Sequence, residues 1–263
     1  MERVGEHPVP AGPLAVRWRA YELPRLRAGR VDPARLVLEN AGGVRWPELL
    51  VSYHWLDRLG NPIVWEGLRT PGPRLEPGEQ AEVTAHVRGP MPPGPYRLSW
   101  DLVVERRWWF SEIGNVTLDV DVDVEPRIGR ALAVRGAGDA GAPIIAVQEE
   151  PLVDERDAEA VVLLAPGWEP ATSDWSRLIL DAHQEGYALV GGSVEARDTV
   201  LRAYDPRGGR QPAFPHPLVF PSLVVGVAPD RFEEVAGLPA SPHLVHDPWI
   251  YDARIRTRRA RGR

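Results

Sequence analysis

The sequence lacks cysteine and lysine, and it contains no long apolar run. Without cysteine the chain forms neither disulfides nor thiolate metal sites, and its redox compartment stays open. All 31 basic residues are arginines, and together with 28 prolines they indicate a GC-rich, thermophilic source. No apolar stretch approaches the ~20 residues of a membrane span, and the N-terminus lacks the basic and apolar regions of a signal peptide. We therefore expect a soluble, cytoplasmic protein with no membrane span.

The composition is that of a globular protein with room for two domains. The chain has 263 residues, which is enough for two domains of ordinary size. Hydrophobic residues make up 43% and charged residues 26%, and this balance excludes an intrinsically disordered chain. The formal net charge is −6, so nucleic acid is not expected as a partner.

Residues 13–125 show the period-two alternation of β-strands. In Leu50–Leu56 a valine, a tyrosine and a tryptophan share one face. In Val116–Val124, valine and leucine alternate with threonine and aspartate, so one side is expected to be buried and the other wet. Roughly seven to eight such strands, separated by turn residues, predict an all-β Ig-like sandwich for residues 1–126.

Glu125–Arg130 is the predicted linker to a second domain, residues 131–263. The centre of that domain, Ala160–Val194, has the pattern strand, helix, strand. The helix is predicted to begin with a cap at Ser173 and to end at Gly186. It carries one apolar stripe, formed by Trp175, Leu178, Ile179 and Ala182. Because a strand–helix–strand crossover packs on a parallel sheet, we expect a small α/β domain.

Local chemistry predicts the character of three further segments of this domain. Gly136–Gly141 matches G-x-G-x-x-G, but the strand-like Ile144–Val147 follows instead of a helix, so we reject a dinucleotide site. Pro229–Gly237 is predicted to form a short helix. Arg254–Arg263 is interpreted as a disordered, solvated tail, with binding of a phosphate-rich partner as the alternative.

Two groups of motifs resemble known families. The first group is Asn40–Pro47, Tyr53–Asp57, Leu75–Gly78, Pro93–Tyr96 and Trp109–Ser111. It resembles bacterial Ig-like modules that are often appended to envelope and carbohydrate-related proteins. The second group is Leu163–Pro170, the helix with Trp175 and Leu178, Val190–Gly192, Arg231–Pro239 and His246–Asp252. In this order it resembles the distal part of a family 2, GT-A-type glycosyltransferase, over residues 160–255.

The glycosyltransferase resemblance implies a divalent metal on a sugar-nucleotide diphosphate and a catalytic base. Gly167 stands where the family has a metal-holding aspartate, and Glu169 alone is a poor Mg²⁺ or Mn²⁺ site. Asp247 matches the position of the base. The segment between the linker and Ala160 is too short for the nucleotide-binding half of the family. The resemblance therefore implies a partial, degenerate domain with an incomplete donor site.

Four tryptophans are candidate ligand contacts. Trp108 and Trp109, followed by Phe110, are candidates for a sugar-stacking platform, with core packing as the alternative. Trp168 and Trp249 lie within the glycosyltransferase-like motifs and are two further candidates.

Two histidines are candidate metal ligands. His243 and His246 precede Asp247 closely enough for the three side chains to bind zinc, with ordinary loop histidines as the alternative.

Together these observations predict a non-catalytic binding or scaffolding protein related to glycosyltransferases, in cell-surface polysaccharide metabolism. No cofactor is required, and a divalent metal is the alternative. Three other functions stay open: an active metal-dependent glycosyltransferase or hydrolase using Glu169 and Asp247, a carbohydrate-binding protein acting through the sandwich, and a structural subunit whose edge strands pair between chains. The expected partners are a carbohydrate or nucleotide-sugar and a second copy of the chain.

Overall fold

A computed structural model describes the main part of the chain. The described residues are 1–136, 148–164, 167–196, 199–201, 210–211, 222–224, 232–235, 238–242 and 248–260. The chain divides into two compact units, Met1–Glu125 and Pro126–Arg263. Among the described residues, no helix has both the length and the apolar character needed to cross a membrane.

The first unit, which is described throughout, is built from ten strands. They are β1 (Glu2–Arg3), β2 (Val16–Glu22), β3 (Val31–Asn40), β4 (Leu50–Leu56), β5 (Pro62–Val64), β6 (Thr70–Pro71), β7 (Gln80–Arg88), β8 (Gly94–Val104), β9 (Trp108–Trp109) and β10 (Leu118–Val124). One sheet has the order β1-β2-β3-β7 and the other the order β10-β8-β4-β5, with β6 on β4 and β9 on β8. All of these pairs are antiparallel.

The two sheets enclose one aromatic core, as the alternating pattern predicts. The largest fully buried side chains of the unit include Trp18, Trp46, Tyr53, Trp55 and Trp100. Strand β10 alternates between apolar residues turned inward and exposed aspartates. The prediction of an Ig-like β-sandwich is therefore confirmed.

Asn40 explains the Asn-Ala-Gly-Gly signature at the end of β3. Its amide nitrogen donates to the carbonyls of Val44 and Leu75, and its amide oxygen accepts from the backbone N–H of Gly42. A Cβ at Gly42 would lie 2.3 Å from the carbonyl oxygen of Pro13, so only glycine fits there. One buried side chain thus ties together the loops at this end of the sandwich.

The second unit contains one α-helix and ten strands within its described residues. They are β11 (Leu132–Gly136), β12 (Ala160–Leu164), β13 (Trp168–Pro170), α1 (Trp175–Glu185), β14 (Leu189–Ala196), β15 (Thr199–Leu201), β16 (Arg210–Gln211), β17 (Ser222–Val224), β18 (Phe232–Val235), β19 (Leu238–Pro242) and β20 (Trp249–Arg259). Eight of these strands form a sheet whose main path is β11-β12-β17-β14-β20-β13.

The α/β fold class predicted for this unit is wrong. The strand–helix–strand elements exist as β12, α1 and β14, but β17 lies between the two strands and is antiparallel to both. The sheet is therefore mixed, and the described residues are mostly β-structure with a single α-helix. The local pattern identified the elements correctly, but it carried no information about a distant strand that inserts between them.

The apolar stripe of α1 is buried as predicted. Trp175, Leu178, Ile179 and Ala182 are all at most 3% exposed. Gly186 ends the helix with φ at 129°, in agreement with the sequence. The predicted cap at Ser173 is wrong, because the capping position is Asp174 and its side chain makes no capping hydrogen bond.

Two other C-terminal predictions are also wrong. Phe232–Val235, expected within a short helix, is strand β18 and pairs with β19. The basic end is not a disordered tail as far as Arg259, because it forms strand β20 between β14 and β13. Ile255 and Thr257 are buried there and alternate with exposed arginines, whose aliphatic stems tolerate partial burial. The strand predicted at Ile144–Val147 lies outside the described residues.

Candidate functional site

The outer face of the second sheet of the sandwich carries buried polar side chains. Ser52 and His54 of β4 alternate with core residues and therefore point away from the core. They lie directly opposite Asp101 and Ser99 of β8. All four side chains belong to residues that are at most 4% exposed. Since they do not face the core, other groups must cover them on the outside.

The cover consists of two indoles and a guanidinium. The ring of Trp65 stacks on His54, with centroids 4.1 Å apart and planes inclined by 23°. The ring of Trp109 approaches His54 to 4.4 Å at an angle of 57°. The guanidinium carbon of Arg69 lies 4.6 Å from the centroid of Trp109. We call His54, Trp65, Arg69, Asp101 and Trp109 the outer-face cluster.

The turn between β4 and β5 positions Trp65. The carboxylate of Asp57 accepts hydrogen bonds from the backbone N–H groups of Leu59 and Asn61 and from the Asn61 side chain. These bonds, with the Asn61 side chain first, lower the pKa of Asp57. The fixed turn pairs Val64 with Trp55, and Trp65 follows one residue later.

Asp101 is a buried carboxylate that anchors the segment after β9. Its Oδ2 accepts from the hydroxyl of Ser111 at 2.5 Å, and its Oδ1 accepts from the backbone N–H of Leu102 at 2.7 Å. The backbone N–H of Ser111 donates to the same carboxylate at 3.3 Å. Such bonds compensate part of the cost of burying the charge.

One ring nitrogen of His54 has a hydrogen-bond partner, and the other has none among the described residues. Its Nδ1 contacts the carbonyl oxygen of Trp65, and because a carbonyl only accepts, Nδ1 carries the hydrogen. Its Nε2 is buried and has no hydrogen-bond partner among the described residues. That atom points toward Oδ2 of Asp101 at 3.6 Å, beyond hydrogen-bond distance. In the neutral ring both of these facing atoms are acceptors.

Arg69 is held by polar groups on three sides. It donates to the hydroxyl of Ser52 at 2.6 Å and to the carboxylate of Glu66 at 3.2 Å. A second carboxylate, Glu105, lies 3.6 Å from its Nε. The guanidinium of Arg69 is therefore held in place by these groups, and two carboxylates compensate its charge.

The cluster opens to solvent at Trp65. This residue is 48% exposed although one face of its indole is covered by His54. Leu59, Ile63 and Val64 on the same hairpin are also exposed. A half-exposed aromatic ring with polar groups at its rim is suited to holding a ligand that is apolar on one face and polar at its edge.

The predicted platform of Trp108, Trp109 and Phe110 does not form one exposed surface. Trp109 is 7% exposed and belongs to the outer-face cluster, whereas Trp108 is half-buried and packs toward the core. Phe110 is fully buried and meets the edge of Trp46. The two tryptophans point to opposite faces because they are adjacent residues of one strand. Their role as ligand contacts stays a prediction.

In the second unit, only part of the predicted site can be placed. Glu169 on β13 forms an ion pair with Arg258 at 2.9 Å, and Trp168 lies 5.0 Å from the guanidinium of Arg259. Gly167 precedes them with φ at 76°. The backbone of Trp249 begins β20. The predicted base Asp247 and the predicted metal ligands His243 and His246 lie outside the described residues.

Within the described residues, no group of three or more His, Asp or Glu side chains is arranged to hold a metal ion. The expectation that no cofactor is required, with a divalent metal as the alternative, stays a prediction. The sequence does not identify the other four members of the outer-face cluster as site residues: His54, Trp65, Arg69 and Asp101. The alternation in β4 could have identified His54, because Ser52 and His54 occupy the positions that point away from the core.

Comparisons with known proteins assign the chain to no family. No family model matches it, and no curated protein matches it. Similar solved structures include the C-terminal domain of wzt (10% identity, TM-score 0.32, 44% of this chain and 76% of that one). Another is the CARDB domain of a Pyrococcus furiosus protein, with 18% identity and a TM-score of 0.26 over 41% of this chain and 87% of that one. A third is a β-glucosidase from Listeria innocua, with 14% identity and a TM-score of 0.28 over 41% of this chain and 15% of that one. The comparisons contain no support for the GT-A resemblance.

Proposed function

We propose that the protein is a non-catalytic binding module that recognises carbohydrate through the outer-face cluster. The observation that carries this proposal is the half-exposed indole of Trp65, stacked on buried His54 in a cluster that contains Arg69 and its two paired carboxylates. The setting we propose is cell-surface polysaccharide metabolism. It is supported by the strand and turn motifs that resemble Ig-like modules of envelope and carbohydrate-related proteins.

The chemistry of a pyranose ring fits this surface. One face of the sugar presents C–H groups, which pack on an aromatic ring, while hydroxyls project from its edge. The open face of Trp65 would take the ring, and the carboxylates of Glu66 and Glu105 would accept from the hydroxyls at its edge. Because the indole is already ordered by stacking on His54, binding costs little side-chain entropy.

A non-catalytic role agrees with how the ionisable groups of the cluster are used. Asp101 accepts bonds that hold the Ser111 segment, and Nδ1 of His54 is committed to the backbone. Arg69 holds Ser52 and two carboxylates. Each group thus supports the shape of the surface, which is what recognition requires.

Substitution of Trp65 tests the proposal. We expect Trp65→Ala to weaken glycan binding by at least about tenfold, because it removes the stacking surface. Binding would be screened on a glycan array and quantified by titration calorimetry with the best glycan. Leu59→Ala is the matched control, since Leu59 lies on the same hairpin, is 88% exposed and is not a member of the cluster. Equal binding by both variants and the unsubstituted protein would contradict the proposal.

A second candidate function is pairing with another copy through the edge of the same sheet. Strand β5 is that edge, and its three residues are all exposed. Exposed apolar side chains on an edge strand favour addition of a further strand. Light scattering tests this alternative: a dimer that Ile63→Lys converts to a monomer would favour it, and a monomer at all concentrations would exclude it.

A further inference from the structure

The charges around the outer-face cluster are predominantly negative. Glu66 and Glu105 pair with Arg69, Asp101 is a member of the cluster, and the carboxylate of Glu112 accepts from the backbone N–H of Trp109 at 2.9 Å. The cluster and its immediate partners therefore contain four carboxylates and one guanidinium. The guanidinium of Arg107 lies 5.8 Å from the ring of Trp108, which is not a member of the cluster.

The same sheet face continues as an acidic surface beyond the cluster. On β10, Asp119 lies opposite Ser99, which is itself opposite His54. Asp121 is the next aspartate on this face and pairs with Arg97 at 3.0 Å. A ligand that extends from Trp65 across the sheet therefore meets carboxylates rather than free cations among the described residues.

The open nitrogen of His54 adds an independent constraint. Its Nε2 and Oδ2 of Asp101 face each other at 3.6 Å as two buried acceptors, and Nε2 has no hydrogen-bond partner in the described part of the chain. Oδ2 already accepts from the Ser111 hydroxyl, so two buried acceptors beneath Trp65 disfavour any further acceptor group beside them. A carboxylate, sulfate or phosphate oxygen only accepts, and it would place a second anion beside Asp101.

We infer that the ligand of the outer-face cluster is an uncharged glycan, bound through hydroxyl donors, and that anionic glycans are excluded. This inference rests on the proposed function and specifies its substrate class. Arg69 offers no site for an anion, since two carboxylates of the protein already neutralise it. The indole of Trp65 stays stacked on His54, and hydroxyls at the edge of the bound ring donate to the carboxylates of Glu66 and Glu105.

Paired oligosaccharides test the inference with the full chain. The probes are cellohexaose with its C6-carboxylated form and mannohexaose with its 6-phosphorylated form, measured by titration calorimetry. We expect the neutral member of a binding pair to bind at least about tenfold more tightly than its anionic partner. Its affinity should change less than about twofold between low and high salt, because no charge on the ligand is screened.

Carboxylate variants complete the test. In the double variant Glu66→Gln, Glu105→Gln, the ratio of the affinity for the neutral probe to that for the anionic probe should fall by about threefold or more. The reason is that Arg69 becomes free to pair with an anion. The control is Glu76→Gln, which removes a surface carboxylate paired with Arg45, away from the cluster. An anionic probe that binds as tightly as its neutral partner would overturn the inference and leave carbohydrate binding standing. If no member of either pair binds and the array is blank, the proposed function itself fails.

Discussion

The two faces of strands β4 and β8 are both buried, but by different means. On the inner face Tyr53, Trp55 and Trp100 pack edge to face, with the rings of Tyr53 and Trp100 5.3 Å apart. On the outer face, serine, histidine and aspartate are buried beneath Trp65, Trp109 and Arg69. Apolar packing stabilises a fold without needing hydrogen bonds. A buried polar face costs free energy unless each group finds a partner, as Ser52 does in Arg69 and Asp101 does in Ser111.

The inner face should dominate stability. We expect Trp100→Ala to lower the free energy of unfolding of the first unit by about 3–5 kcal/mol, because it leaves a cavity at the centre of the aromatic core. Urea unfolding followed by tryptophan fluorescence measures the change. A loss below about 1 kcal/mol would show that the two faces do not differ as described.

The second unit also contains a buried histidine, His183, and its burial should make the stability of the protein depend on pH. His183 on α1 is fully buried, and its Nδ1 bonds to the carbonyl of Tyr187 at 2.8 Å. Burial, with a smaller contribution from Arg127, lowers the pKa of His183 to about 4. A pKa below the unfolded value means that the stabilisation is present above about pH 6.5 and is lost as the pH falls toward 4.

The expected loss over this pH range is roughly 3 kcal/mol. Urea unfolding at neutral and acidic pH, followed by far-ultraviolet circular dichroism, should show it for the unsubstituted protein and a much weaker pH dependence for His183→Gln. His86→Gln, at an exposed position of β7, is the control and should leave the dependence unchanged. An unaltered pH dependence in His183→Gln would refute this assignment.

The outer face should contribute less to stability than the core. Asp101→Asn keeps the size of the side chain but turns one acceptor for the Ser111 hydroxyl and backbone into a donor. We expect a loss of about 1–3 kcal/mol in the free energy of unfolding, measured by urea titration. A neutral or stabilising effect would mean that the buried carboxylate is not needed to hold the segment after β9.

Sequence reasoning recovered the sandwich because its signal is local. Alternation in β4 and β10, with turn residues between strands, is enough to specify two antiparallel sheets. The second unit depends on contacts between distant segments. Neither the insertion of β17 between β12 and β14 nor the pairing of the arginine-rich β20 with β14 has a local signature.

The candidate site was only partly predictable for the same reason. Trp109 was among the predicted ligand contacts and lies in the outer-face cluster. Trp65 reaches His54 only because the hairpin turn sets the register of β5 against β4, and Arg69 reaches Trp109 across a different segment. The alternation of β4 places Ser52 and His54 outward, but it does not tell what covers them.

The central claim is that Trp65 serves recognition rather than stability, and measuring both quantities on Trp65→Ala tests it most directly. We predict that its free energy of unfolding falls by no more than about 1 kcal/mol, because the side chain is half exposed. Its glycan affinity should fall at least about tenfold, while Leu59→Ala changes neither quantity. A variant that loses several kcal/mol of stability, or that keeps its glycan affinity, would contradict the account.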